Sequence, residues 1–316
     1  MRFISLTDVP YAACAATIGF FDGVHQGHRF LISRLSEYAR RKDLASLLVT
    51  FDKHPREVMQ SAYQPRLLTT FEEKCALLAQ TEADYCVVLG FTPELAALSA
   101  QSFMEQTLKN KLRAEALWIG YDHRFGHNRK EGFEDYVAYG RKLQMRVLQA
   151  PAYSLDGTNV SSSAVRALLD AGETALAAKC LGRAYEITGQ VIGGFRIGRE
   201  LGYPTANLKV TNTQKLIPKS GVYAVRVRGI GTRSQSFGGM LNIGTRPTLN
   251  NSHETAIEVH VLDFDGDLYG DTLTLSFIRR LRDERKFRSK AELIQHLRQD
   301  EQDIRHILAQ NDYSER

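Results

Sequence analysis

Two hydrophobic grammars divide the chain near residue 183. In the first part, short runs are apolar without alternation: Cys14–Phe21, Ala45–Phe51, Tyr85–Gly90, Glu115–Gly120 and Met145–Ala152. Runs of this kind predict strands covered on both faces. Between them lie stretches with helical spacing: RFLISRLSEYARRK, TFEEKCALLAQ, SAQSFMEQTLKNKL and FEDYVAYGRKL. Strand and helix in alternation predict a doubly wound parallel sheet, whose ligands bind beyond the carboxyl ends of its strands. Two more helices are expected over SSAVRALLDAG and ETALAAKCLG, each closing on a glycine, Gly172 or Gly182, at the C-cap.

Past Arg183 the period becomes two, in YEITGQVI, SGVYAVRVRG, SFGGMLNIG, ETAIEVHVLDF and DTLTLSFI, with Gly, Pro and Asn between them. Ile257, Val259 and Val261 then share one face of a strand, and Glu258, His260 and Leu262 the other. Several short strands at this spacing suggest a small antiparallel barrel or sandwich, of which we adopt the barrel. An amphipathic helix over SKAELIQHLRQDEQDIRHILAQ closes the chain. The expected architecture is α/β plus all-β, with domains at 1–183 and 184–316. A length of 316 residues suits two cores rather than one.

The net charge of +5 comes from scattered basic residues, so no nucleic-acid footprint is expected, and the mild excess favours small anions if it favours anything. Four cysteines stand apart from one another with no CxxC pair, which reads as reduced, buried thiols in a cytoplasmic protein. The N-terminus shows no secretory h-region, and no apolar run approaches the ~20 residues of a membrane span. The sequence points to no membrane association and to no obligate protein partner.

The chemistry concentrates first in GFFDGVHQGHR, Gly19–Arg29. His25 and His28 at this spacing suit a metal, but no HExxH pattern or cysteine partner accompanies them. They would also serve as capping residues of a turn. Gly19, Gly23 and Gly27 weigh against that plain role, because they permit positive φ and close backbone approach. A helix N-terminus after a parallel strand is an anion site, so local chemistry favours phosphate. NVSSSAVRALL offers a second such start. Ser161, Ser162 and Ser163 are N-cap candidates, and Arg166 follows about one turn along.

These residues resemble the HxGH signature of the nucleotidylyltransferase superfamily. More narrowly, they are similar to the G-N-F-D-G-x-H-x-G-H form of bacterial bifunctional riboflavin kinase/FMN adenylyltransferases, also called FAD synthetases. FDKHP (51–55), RLLTTFEEK (66–74), IGYDHRFGHNR (119–129) and the serine-rich helix start resemble further motifs of that family, in the same order. The resemblance implies that His25 and His28 contact ATP phosphates and stabilise adenylyl transfer to FMN. It implies nucleotide binding by Gly19, Phe21, Asp22, Gly23, Asp122, Ser162, Ser163 and Arg166.

In the second part, GGFRIGRELGYPTANL (193–208) has no Walker A pattern and resembles the PTAN signature of riboflavin kinases. By that resemblance Gly198 and Gly202 lie against the nucleotide, and Thr205 and Asn207 offer neutral oxygens to Mg²⁺. A mid-strand Glu258 would ordinarily face solvent, but the family pattern E-x-H-x-x-D-F makes it the general base toward riboflavin. Arg282, in LRDERKFRSKAEL, is implied to bind flavin. ATP, riboflavin and FMN/FAD are thus the implied small-molecule partners. Departures from the family pattern are Phe20 for Asn, Lys53 for Pro, His123 for Phe and Ser163 for Thr. Two competing readings are a kinase with an inactive first domain, and a flavin- or RNA-binding regulator without turnover.

Overall fold

The computed structural model describes residues 1–59, 66–127, 129–193, 197–230, 235–247 and 253–312. Residues 194–196 of the glycine-rich stretch, Asn128 and Thr248 lie outside the described residues.

Strands β1 (Arg2–Ile4), β2 (Cys14–Ile18), β3 (Ala45–Phe51), β4 (Tyr85–Leu89), β5 (Ala114–Ile119) and β6 (Arg146–Gln149) form one sheet in the order β1-β4-β3-β2-β5-β6. Every neighbouring pair is parallel. All five residues of β2 are buried. Cys14, Ala16 and Ile18 join a core with Phe103, Met104 and Leu108, while Ala15 packs with Leu31, Ile32 and Leu35 on the other face. Burial on both sides is why the strand is apolar without alternation. β1 is a three-residue edge strand, too short to carry a period.

The helices of this unit are α1 (Gln26–Arg41), α2 (Pro55–Met59), α3 (Phe71–Ala79), α4 (Pro93–Ala96), α5 (Ala100–Phe103) and α6 (Phe133–Lys142). The helix expected over 99–112 is instead α5 continuing into π-helical turns at Met104–Lys111. From β2 the chain steps outward through β3 to β4, then returns past β2 to β5 and β6. The loops leaving β2 and β5 therefore diverge, which makes the gap beyond their carboxyl ends the switch point of the sheet.

A two-stranded hairpin, β7 (Ser154–Leu155) with β8 (Thr158–Asn159), leads to α7 (Ser162–Ala171) and α8 (Thr174–Leu181). Gly172 and Gly182 take φ of 86° and 71°, the left-handed conformation expected of C-cap glycines. The chain divides into two compact units, Met1–Ser162 and Ser163–Arg316, so α7 and α8 lie almost wholly in the second.

That second unit is a closed barrel of β9 (Tyr185–Ile192), β10 (Ala206–Val210), β11 (Gly221–Arg228), β12 (Phe237–Pro247), β13 (His253–Val261) and β14 (Thr272–Arg282), with α9 (Ile197–Glu200) before β10 and α10 (Lys290–Asp312) last. Neighbours are antiparallel throughout, and β9 closes the ring on β10. Ile187, Tyr223, Val225, Leu241, Val259 and Phe277 are fully buried, one strand residue in two. Outside, Ile304, Ile307 and Leu308 of α10 cover Val222, Ala224, Met240 and Leu262. Leu262 is buried because the helix lies over it.

The Arg282 guanidinium fixes α10 to β14 through both oxygens of Asp300, at 2.5 to 3.1 Å, and also donates to the Asp283 carbonyl. The pair is largely shielded, at 16% and 6% side-chain exposure. Removing one partner strands a buried charge. Asp300→Ala is expected to destabilise the barrel unit by about 3–5 kcal/mol. Urea unfolding followed by far-UV circular dichroism should show the loss. Fluorescence of Trp118, the chain's one tryptophan and a β5 residue, should report an unchanged first unit.

Candidate active sites

At the carboxyl end of β2 the backbone turns through a short 3₁₀ turn, Asp22–Val24, before α1. Phe21, Gly23 and Val24 all have positive φ, of 56°, 81° and 39°. Such a turn is costly at a β-branched residue and needs outside support. Asp22 provides it. Its buried carboxylate accepts from the Leu68 and Thr69 amides at 3.0 and 3.1 Å and from the Thr69 hydroxyl at 3.2 Å. Thr69 in turn accepts from the Gly23 amide. The Ser162 hydroxyl donates to the Asp22 carbonyl at 2.9 Å. Two segments far apart in sequence, at 68–69 and at Ser162, thus meet on this loop. Asp22 acts there by shaping the loop, and a Cβ on Gly19 would press the Phe21 ring at 3.1 Å.

His25 is buried and caps α1. Its Nδ1 accepts from the His28 amide at 3.3 Å, which leaves the proton of the neutral ring on Nε2. The two imidazoles stack, with centroids 3.6 Å apart and planes at 19°. Gly27 permits this, since a Cβ would lie 3.1 Å from His25 Nδ1 and 3.0 Å from the Val160 carbonyl. Phe21 packs edge-on against His28. Burial, then the neighbouring His25 and His123, hold His28 well below the usual histidine pKa. His28 is therefore neutral at pH 7, and its buried Nδ1 has no partner among the described residues.

One side chain beside this loop, Lys74, has no role assigned from the sequence. Lys74 of α3 is buried, and its ammonium donates to the Phe51 carbonyl at 2.7 Å. It also lies 4.0 Å from the Phe20 ring centroid, and His54 meets the same ring edge-on. Phe20, in the place of an asparagine, thus supplies a π-face to a buried cation. Burial is the main cause that lowers the Lys74 pKa to about 8, so the amine stays mostly charged at pH 7. The lysine ends RLLTTFEEK, but nothing in the spacing marks it as buried.

Beyond β5, Asp122 is exposed while the Nε2 of its neighbour His123 is buried. Burial first, then the charge of Arg129, lowers the His123 pKa to about 4, against the pull of Asp122. Ser163 and Arg166 lie on α7, in the second unit, with Ser163 exposed.

In the barrel, PTAN is not wholly loop. Asn207 sits in β10, paired in register with Glu258 of β13, and Glu258 is paired in turn with Asn242 of β12. Alternation places all three on the outer face. Asn207 is buried and Thr205, just before the strand, is exposed. Asn242 donates to Glu284 at 3.4 Å, and a Cβ on Gly244 would collide with that carboxylate. Asn242 opens NIGTRPT and Glu284 lies in LRDERKFRSKAEL, two stretches that resemble the family, but neither residue carries an assigned role in the sequence.

The turn before β10 is held tightly. The Tyr203 amide donates back to the Gly198 carbonyl at 2.8 Å, leaving no room for a Cβ at Gly198, and Gly202 has φ 81°. His260 donates from Nδ1 to the Pro204 carbonyl at 2.8 Å, and the Tyr203 hydroxyl donates to Glu301 of α10. Arg282 is occupied with Asp300 and the Asp283 carbonyl, at the start of the segment that follows β14. Among the described residues, no three His, Cys, Asp or Glu side chains converge as a metal site.

The fold and the family matches define a nucleotidylyltransferase-type domain joined to a flavokinase-type barrel. An FAD synthetase family model matches residues 10–164 and a riboflavin kinase model matches residues 181–308. A bifunctional riboflavin kinase/FMN adenylyltransferase of Escherichia coli (strain K12) is 36% identical over 297 residues, covering 94% of this chain and 93% of its own. One from Pseudomonas fluorescens is 38% identical over 279 residues, 88% of each chain. A solved structure described as a macrolide-efflux protein from Streptococcus pneumoniae matches with a TM-score of 0.85 at 28% identity, over 96% of this chain and 99% of that one. The chain belongs to the bifunctional riboflavin kinase/FMN adenylyltransferase family. Among the described residues no helix is long and apolar enough to cross a membrane.

Two outcomes are expected of the first unit. Phe20→Leu keeps an apolar contact but removes the π-face, and should lower stability by about 1–2 kcal/mol in urea unfolding followed by Trp118 fluorescence. The second concerns pH. Histidines held below their unfolded pKa bind fewer protons folded than unfolded, so stability falls as pH drops through that interval. The thermal midpoint should decline from pH 6.5 toward pH 4, and the decline should be shallower in His123→Phe.

Proposed function

We propose that the barrel unit phosphorylates riboflavin to FMN and that the parallel-sheet unit adenylylates FMN to FAD, both from ATP. The observation that carries this reading is the stacked pair of imidazoles at the switch point of the sheet. They stand where a phosphate chain would meet the start of α1. In adenylyl transfer, an oxygen of the FMN phosphate attacks the α-phosphorus in line. The new P–O bond forms as the bond to the β-phosphate oxygen breaks, and pyrophosphate leaves. No side chain needs to act as nucleophile. His25 and His28 stabilise the charge that gathers on the phosphoryl oxygens.

Gly19, Phe21, Asp22 and Gly23 form the loop that admits the nucleotide, with Asp22 holding its shape. The family motifs support nucleotide contacts for Asp122, Ser162, Ser163 and Arg166. Ser162 already reaches the loop. We place the functional boundary at Arg183, where the strand grammar changes, with residues 184–316 as the kinase part.

In the kinase reaction a riboflavin hydroxyl attacks the γ-phosphorus, Glu258 takes its proton, and ADP leaves. The turn built on Gly198 and Gly202 lies against the nucleotide. Thr205 and the buried Asn207 offer hard, neutral oxygens beside Glu258, a donor set that fits Mg²⁺ keeping most of its water. Bound there, Mg²⁺ would neutralise phosphate charge. Arg282 contributes to flavin binding by anchoring the segment after β14. The four free cysteines suit a reducing, ATP-rich compartment, the cytoplasm.

One time course with riboflavin, ATP and Mg²⁺, separating FMN from FAD, tests the whole reading. Glu258→Gln should lower FMN formation by about 10²–10⁴-fold and leave FAD formation from added FMN intact. His25→Ala/His28→Ala should do the reverse, with a loss of at least about 10²-fold in FAD formation. Wild-type protein that yields FMN but no FAD would overturn adenylyl transfer, and full kinase activity in Glu258→Gln would remove the base.

A further inference from the structure

His123 stands where the family pattern has phenylalanine, on the loop that leaves β5. β5 is the sheet neighbour of β2, so this loop and the His25–His28 turn flank the same switch point. The ring is held from behind. Tyr136 stacks on Phe125 at 4.4 Å and 15°, and Phe125 lies parallel to His123 at 6.1 Å and 27°. Tyr136 also fixes the loop backbone. Its hydroxyl accepts from the Phe125 amide at 3.0 Å and donates to the Phe125 carbonyl at 3.2 Å. The His123 amide closes the turn onto the Gly120 carbonyl.

This support stops short of the ring's far nitrogen. His123 Nε2 is buried and has no partner among the described residues, and His28 Nδ1 is in the same condition. A buried imidazole nitrogen without a partner is costly, and native structures keep such groups where a ligand completes them. His123 is close enough to His28 to help lower its pKa, and burial keeps both rings neutral at pH 7. As a neutral imidazole each has one N–H to give to an anion. Phenylalanine offers an edge and no donor.

We propose that His123 is a third binding imidazole of the adenylyl-transfer site, with Nε2–H directed at a phosphate oxygen of one of the two phosphorylated substrates. This rests on the adenylyl-transfer reading. It adds a polar contact where the family pattern places an apolar ring. The shared chemistry is a phosphate oxyanion. Its two possible sources are the triphosphate of ATP and the phosphate of FMN.

The test measures FAD formation from FMN and Mg-ATP by His123→Phe and His123→Gln, with urea unfolding followed by Trp118 fluorescence as a check that the first unit folds. Losing a hydrogen bond to a charged group should raise one KM by about tenfold or more in His123→Phe. Glutamine, which keeps a donor, should restore most of it. A raised KM for ATP with a weakened inhibition by inorganic pyrophosphate assigns the contact to the triphosphate, and a raised KM for FMN alone assigns it to the flavin phosphate. If His123→Phe does not fold, the imidazole ¹⁵N resonances of the wild-type protein serve instead, and Nε2 of His123 should move on adding pyrophosphate or FMN. Wild-type FAD synthesis together with unchanged constants in His123→Phe, or resonances indifferent to both probes, would overturn the assignment of His123 alone. An equal loss in both variants would make it a packing residue. Absence of FAD formation in the wild type would instead overturn the activity itself.

Discussion

The Asp22 carboxylate lies within a loop that has three positive-φ residues, and it accepts the amides of Leu68 and Thr69. Without those bonds, nothing local would keep Phe21 and Val24 in the left-handed region, and the approach to α1 would relax. With them, the start of α1 presents His25 and His28 face to face, and Ser162 closes the loop from the far end of the unit. The same carboxylate lies near Lys74, whose ammonium bridges the end of β3 and the Phe20 ring. The switch point is therefore a buried polar network whose members hold one another in place, with His28 neutral at pH 7 among them.

The barrel solves a similar problem by other means. Its proposed reactive groups stand on an outer face, where side chains are normally free to move. Register confines them: Asn207, Glu258 and Asn242 lie on adjoining strands at one level. α10 braces the surroundings through Arg282–Asp300 and through Glu301, which receives the Tyr203 hydroxyl just ahead of PTAN. The terminal helix thus does more than cover apolar surface.

Much of this was legible in the sequence. The five long strands of the sheet, the change of grammar near residue 183, the C-cap glycines and the closing helix all follow from periodicity and punctuation. What escaped had weak local signals. β1 is three residues at an edge, the β7–β8 hairpin has two-residue strands, and the π-helical turns at 104–111 keep a helical pattern. β10 was hidden because ANLKV begins inside a motif that reads as a loop. The histidines were found through their glycines, but Lys74 and the Asn242–Glu284 contact were not. Burial of a lysine and pairing across strands are decided by residues distant in sequence. Phe20, which looks like a lost amide in the motif, is explained only by the cation beneath it.

The closed ring of strands also constrains how the surroundings of Asn207 and Glu258 can change over generations. β10 is paired on both sides, to β9 and to β13, so its frame cannot slide on one partner without breaking with the other. Inserting or deleting a single residue within it would turn Asn207 into the barrel interior and push Leu208 outward. The spacing between the amide and Glu258 is therefore set in discrete steps of the ladder. Point substitution can tune the chemistry here, whereas length variation has to fall in the connections between strands.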